Sequence, residues 1–250
     1  MKQTDNGRFK EQLQIKPYKK NVSYSYTLGA FPTYELILSK PEVVHKVLIH
    51  SGYTDEESLR TLCIKNSIPL EVNDKLIGRL SDKDNCFVAG IFTKYSCELS
   101  KEKPHIVLVN PSNMGNMGTI IRTIVGFGIY NMAIIQPSAD IFNPKSIRAS
   151  MGALFKLNFQ LYDSFDEYRR QYSSHDVFTF MLNKEHTINI KDCPKPKLFS
   201  LVFGNEARGL DDSFLKVGTS VMIPQTSDVD SLNLTIAVGI GAYEFTRETD

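Results

Sequence analysis

Two rhythms of apolar and polar positions succeed each other along the chain. In residues 21–98 short runs alternate in type. YELILSK has helix-spaced apolar residues and stops before Pro41, VHKVLIHS reads as a strand, and TDEESLRTLCIKN predicts a helix capped by Thr54 with acidic residues in its first turn. SIPLEVN predicts a further strand, DKLIGRLSD a short helix and CFVAGIF another strand, which together make a small α/β unit. LSKEKP, residues 99–104, is polar and ends in proline, the composition of a linker.

From residue 105 the apolar runs become continuous. HIVLVN, NMAIIQ, VFTFML, LFSLVFG and SVMIPQ read as strands, most of them separated by helical stretches, and strands of this kind argue for a mostly parallel sheet covered by helices. Ligands of such sheets bind at the carboxyl ends of strands. That rule selects NPSNMGNMG after HIVLVN, GNEARGL after LFSLVF, and PQTSDVDSLNLT after SVMI.

Composition narrows the class. The 250 residues are 42% hydrophobic with 15 Phe and 11 Tyr, enough for one large or two modest cores. No run approaches the length of a membrane span and the first residues are polar, so the expectation is a soluble, cytoplasmic protein with no membrane partner. Cys63, Cys86, Cys97 and Cys193 form no CxxC pair and have no His at ligand spacing, so no metal is expected. The net charge of +1 hides asymmetry: residues 1–20 hold six Lys/Arg against two Asp/Glu and read as a mobile basic lead-in, whereas residues 201–250 hold three against eight. A basic face that could meet phosphates is therefore allowed.

The three loops carry amides, hydroxyls and few charges. Gly115 and Gly118 are expected to form a turn, with Arg122 one turn into the helix that follows and Ile120, Ile121, Ile124 and Val125 packing it on the sheet. The dinucleotide fingerprint and the P-loop are both absent, as are G-x-S-x-G and H-E-x-x-H, and no His lies in the three loops. Glu206, a lone carboxylate at a strand end, reads either as a helix-start or solvated residue or, functionally, as a partner that holds Arg122 in two-point geometry. Ser231 reads either as the N-cap of the last helix or, with Asn233, as part of an anion site at its start.

In order, N116-x-G118-x-x-x-R122, LVFGNEARGL and IPQ…SLNLT…AYE resemble the three signature motifs of the SpoU, or TrmH, family of RNA ribose 2′-O-methyltransferases, over residues 106–245. The resemblance implies an α/β SPOUT domain over 105–250, with a parallel sheet and a deep trefoil knot. Residues 21–98 are similar to the L30e-like substrate-binding domain that such enzymes often carry.

It also implies S-adenosyl-L-methionine as cofactor, held by Gly204, Ile223 and Leu232, and a homodimer with the site near the subunit interface. Asn116, Arg122, Glu206, Ser231 and Asn233 match the family's catalytic positions. Arginine is a poor general base, so Arg122 is expected to stabilise a developing alkoxide or a neighbouring phosphate, with the route of the proton open.

Two departures stand out. The first motif can place its Asn at 113 or 116, and spacing to Arg122 favours 116. Gln225 stands where the family usually has Met, and Asp228 and Asp230 add negative charge nearby. The L30e-like half favours ribosomal over transfer RNA as partner. A non-catalytic RNA-binding or ribosome-assembly protein, and a small-molecule enzyme of ordinary doubly wound type, are the alternatives.

Overall fold

The computed structural model describes residues 15–81, 83, 85–182 and 187–247. The first half builds a four-stranded sheet from β1 (Tyr24–Tyr26), β2 (Val44–Ile49), β3 (Leu70–Val72) and β4 (Val88–Thr93). Their order is β1-β4-β2-β3, antiparallel except for the β2–β3 pair. Helices α1 (Ala30–Ser39), α2 (Glu56–Lys65) and α3 (Asp74–Leu80) cover it. Alternation decides the faces: Val47 and Ile49 join the α1/α2 core with Ile37, Leu59 and Cys63, while Leu48 joins Ile77, Leu80 and Tyr26 on the other side.

Local signals place most boundaries. α1 ends at Ser39, with Lys40 as its C-cap directly before Pro41, and Asn73 caps α3 by accepting from the Leu76 N–H at 3.0 Å. Thr54 does not cap α2; Asp55 occupies that position without a side-chain bond to the helix, and Glu56 and Glu57 favour the helix start through its dipole. The lead-in is also not free over residues 15–20. Ile15 is buried, the N–H groups of Lys16 and Tyr18 donate to the hydroxyls of Tyr24 and Tyr26, and the Tyr18 hydroxyl donates to Asp140. Residues 1–14 lie outside those described.

The second half is a seven-stranded sheet, parallel throughout, in the order β7-β6-β5-β10-β8-β11-β9. Its strands are β5 (His105–Val109), β6 (Asn131–Ile135), β7 (Asn158–Tyr162), β8 (Asp176–Phe180), β9 (Ile188–Asn189), β10 (Phe199–Phe203) and β11 (Thr219–Met222). Along β5, Ile106 and Leu108 face one core and Val107 the other, which is why the strand is apolar from Ile106 onward.

The first of these cores is closed by α4 (Met114–Gly126), α5 (Pro144–Ala149) and α7 (Leu234–Thr246), the second by α6 (Phe165–Gln171) and a short 3-10 helix, Asp212–Lys216. Ile120, Ile121 and Ile124 of α4 are fully buried, each contributing about 1.5–3 kcal/mol relative to exposure.

Gly115 and Gly118 lie inside α4 rather than in a turn before it, so Arg122 sits two turns into the helix. A Cβ on Gly118 would lie 2.3 Å from the Ser146 carbonyl oxygen, so this glycine allows α4 and α5 to touch backbone to backbone.

The halves share a core. Phe92 of β4 packs against Phe142 and Phe155, the Ser25 hydroxyl donates to the Phe142 carbonyl at 2.6 Å, and Lys156 pairs with Glu35 at 2.6 Å. Met151 and Gly152 both take left-handed conformations, φ 49° and 80°, and a Cβ on Gly152 would come within 2.5 Å of the Glu35 Cβ. That turn seats the second half against α1.

Candidate active site

Three chain segments meet at the carboxyl edge of the large sheet. β10 ends at Phe203 and the chain turns through Gly204–Gly209, closed by the Gly209 N–H bonding to the Asn205 carbonyl at 2.9 Å. A Cβ on Gly204 would lie 2.1 Å from the Gly209 carbonyl carbon, so no other residue permits this turn. The Asn205 side chain braces it, accepting from the Ala207 N–H and donating to the Asn110 carbonyl at 2.8 Å.

Glu206 projects from the turn into the loop before α4. Its carboxylate accepts from the Ser112 N–H at 3.0 Å, the Ser112 hydroxyl at 2.8 Å, the Asn113 N–H at 3.0 Å and the Asn116 side-chain amide at 3.2 Å. Partial burial favours the neutral acid, but these donors, led by the Ser112 N–H, outweigh it and hold the carboxyl below its usual pKa. Glu206 therefore clasps two loops together instead of holding Arg122. Asn113 caps α4 through the N–H groups of Gly115 and Asn116, so the two asparagines divide the work: 113 shapes the helix and 116 reaches Glu206.

A cavity of about 290 Å³ opens beside this clasp, between the Gly204–Gly209 turn, the end of β8 and the segment running from Ile223 to α7. Gly204, Ile223 and Leu232 line it, with Ser231, Glu206 and Gln225 on its polar side and Phe180, Phe203 and Leu234 on its apolar side. Phe180 and Phe203 stack with centroids 4.2 Å apart, and Gly241 of α7 lets the helix lie over them. Asn233, not Ser231, caps α7, accepting from the Thr235 N–H at 2.8 Å. Gln225 donates to the Asp230 carbonyl, closing the loop that carries Asp228.

Arg122 does not line this cavity. It is exposed on α4 and faces a separate groove of about 870 Å³ that runs between the two halves of the chain. Among the described residues it makes no ion pair and no side-chain hydrogen bond. The structure thus brings Gly204, Glu206, Ile223, Ser231 and Leu232 together, joins Asn116 to them through Glu206, uses Asn233 as a cap, and leaves Arg122 apart.

The SpoU rRNA Methylase family model matches residues 103–243, more than half of the chain. The chain belongs to the SpoU family. A 23S rRNA (guanosine(2553)-2′-O)-methyltransferase of Bacillus subtilis is 26% identical over 153 residues, 59% of this chain and 61% of that protein. An uncharacterized tRNA/rRNA methyltransferase of Synechocystis sp. is 29% identical over 144 residues, 57% of this chain and 53% of that protein. The match thus spans little more than half the length of these relatives. An AdoMet-bound rRNA methyltransferase of Sinorhizobium meliloti superposes with a TM-score of 0.77 at 25% identity, over 89% of this chain and 87% of that one.

Some residues around this SpoU cavity escaped the reading of motifs. Met181 and Leu182 form part of its wall at the end of β8, a strand end that the carboxyl-edge rule covers but that carries no Gly or Asn to draw notice. Ser112 was visible only as part of NPSN, and Asn113 was detectable as an N-cap directly before an apolar helix. Among the described residues no cluster of three or more His, Cys, Asp or Glu could hold a metal ion, and no helix is long and apolar enough to cross a membrane.

Proposed function

We propose that this SpoU-family chain is an S-adenosylmethionine-dependent methyltransferase acting on a ribose 2′-hydroxyl of folded RNA, ribosomal RNA in preference to transfer RNA. The observation that carries the reading is the shared cavity: Gly204, Ile223 and Leu232, assigned to the cofactor by motif alone, line one pocket whose size is near the lower end of small-molecule sites. Its composition suits that ligand. Apolar walls accept a flat base and exclude water, while the backbone of a glycine turn and the Ser231 side offer hydrogen bonds to ribose and amino-acid groups.

When bound, the cofactor supplies a methyl group on a sulfonium leaving group. The protein's own task is alignment and exclusion of water. Glu206 fixes the turn that walls the cavity against the loop before α4. Arg122 stabilises negative charge at the ribose 2′-oxygen or holds the adjacent phosphate.

Arg122 lies outside its own chain's cavity, so in this reading the site is completed by a second copy. Exposed apolar side chains on α7 and at the end of α4 support the homodimer: the rings of Phe127, which follows α4, and Tyr243 lie 6.0 Å apart between centroids, and Ile236 is 53% exposed. The trefoil knot belongs to the same proposal. It is supported by β10 running centrally between β5 and β8, and by α7 returning after β11 to pack on both α4 and β10. The four free cysteines suit the cytoplasm.

The test is transfer of labelled methyl from S-adenosylmethionine to separated ribosomal and transfer RNA, followed by nucleoside digestion. Label on a 2′-oxygen in the ribosomal fraction is expected, and Arg122→Ala should lower transfer by about 10²-fold or more, the scale of losing one charge-stabilising donor. Its cofactor affinity should stay unchanged. A wild-type chain that binds no cofactor defeats the reading.

A further inference from the structure

The groove that holds Arg122 has walls from both halves of the chain. Arg79 of α3 and Lys83 line it on one side, and Arg122, Lys145 and Arg148 on the other. No carboxylate lines it among the described residues. Among the described residues none of the five cationic side chains has an ion pair or hydrogen bond there, whereas Lys46, Arg60, Lys156, Lys195 and Arg247 each meet a glutamate elsewhere.

A chain with net charge +1 has acids enough to neutralise these cations, so their isolation is positional. Lys145 and Arg148 stand three apart on α5, a like-charge spacing that is mildly unfavourable by itself. The groove's width is also set. The left-handed Met151–Gly152 turn seats Gly152 on Glu35, and Tyr18 ties the first half to Asp140. Two walls held at one distance, both cationic and with no carboxylate between them among the described residues, suit an extended polyanion better than a single phosphate.

We propose that this groove is the track of the RNA strand: Arg79 and Lys83 from one half, and Lys145 and Arg148 from the other, hold backbone phosphates of the strand whose ribose reaches Arg122. The proposal rests on the methyltransferase reading for its ligand. It assigns to the first half a direct share in strand binding, and makes RNA affinity depend on both walls at once. These four are positioning residues, since phosphate contacts orient a nucleic acid without reading its bases.

The test is fluorescence anisotropy of labelled fragments of total ribosomal RNA, titrated with the full chain between 50 and 200 mM salt. Each neutralised phosphate contact contributes about 0.7 to 0.9 to the slope of log affinity against log salt. Arg79→Gln/Lys83→Gln and Lys145→Gln/Arg148→Gln should therefore each flatten the slope by about 1.4 to 1.8 and weaken binding. The melting temperature should move little, because Arg79, Lys83 and Lys145 are exposed, Arg148 is half-buried, and none of the four has a side-chain partner among the described residues. Lys216→Gln, a cation outside the groove, should leave affinity and slope as they were.

Wild-type slope and affinity in both double variants would overturn the proposal, and so would polyglutamate binding lost in these variants while RNA binding persists. S-adenosylmethionine titration of the wild type judges the enzyme reading separately. Normal cofactor binding with groove-independent RNA binding sinks the groove alone.

Discussion

The amino ends of β5, β8 and β10 bring His105, His175, Tyr168 and Ser200 together, and the carboxyl ends of β5 and β10 bring Glu206 to the loop before α4. At the first edge the polar groups are buried and bonded to one another. His105 donates from Nε2 to the Ser100 carbonyl at 2.8 Å, leaving Nδ1 to accept from the Tyr168 hydroxyl at 2.9 Å, while Ser200 contacts Tyr168 at 2.6 Å and His175 at 2.9 Å.

At the second edge the groups are half-exposed, and their bonds run between loops around an open cavity. The difference separates two uses of polar chemistry in one sheet. The closed network fixes the 99–104 connection to the sheet bottom; the open one holds loops in place while leaving a space to fill.

The largest effect that would break the comparison is Gly204→Ala. The added carbon falls on the Gly209 backbone, which has no flexible end to give way. We expect a loss of about 3 kcal/mol or more, at or beyond the upper range of overpacking, together with loss of cofactor binding. Thermal melting with calorimetric titration reads both. A variant that melts and binds like the parent would mean that the turn rearranges freely and the cavity is not built by it.

The two edges should then separate by pH. Burial, with His175 nearby as the next cause, pushes the His105 pKa down to about 4. Its folded value lies below the unfolded value of about 6.5, so between those limits the unfolded chain binds the proton more strongly. This contribution is complete above pH 6.5 and is lost as pH falls toward 4, for up to about 3 kcal/mol. Glu206 has the opposite sign of charge and a lowered pKa, so its contribution is present above the ordinary carboxylate range and is lost below it. Denaturant midpoints from pH 7 to 4 should fall in the parent and stay flatter in His105→Gln.

Glu206→Ala probes the open edge with a smaller change. It leaves the Ser112 and Asn113 N–H groups to water, costing about 1–2 kcal/mol after allowance for their exposure. Cofactor affinity should fall more than stability, because the cavity wall loses its brace. Equal loss in Glu206→Gln would show that the charge matters more than the bonding geometry.

These contrasts also mark how far the sequence could be read. The end of α1 before Pro41, the continuous strand HIVLV and the buried isoleucines of α4 are local matters of backbone restriction and periodicity, and the chain states them plainly. β1, a three-residue strand of Tyr and Ser, and the two-residue β9 were not legible, since short strands take their form from partners rather than from pattern, and the five-residue edge strand β7 was not, since Asn158 and Gln160 interrupt its apolar run.

At the site, the motifs assembled the cavity residues, but charge complementarity paired Glu206 with Arg122. Opposite charges suggest partners, whereas the structure satisfies the carboxylate with N–H and hydroxyl donors that a sequence does not display as charge. The interdomain groove was equally hidden, because Arg79 and Arg148 are far apart in the chain.

The smallest change divides two adjacent residues at the start of α7. Asn233 caps the helix through the Thr235 N–H and hydroxyl, so Asn233→Ala should cost about 1 kcal/mol in stability, the usual scale of a lost N-cap. Ser231 is exposed, lines the cavity and has no side-chain bond among the described residues, so Ser231→Ala should stay within about 0.5 kcal/mol of the parent. Melting curves read the first difference and methyl-transfer rates the second. If Ser231 contacts cofactor or ribose, its variant loses rate at unchanged stability; a variant with full rate makes Ser231 part of the rim only, and leaves the third motif's polar pair with a structural asparagine and an unused serine.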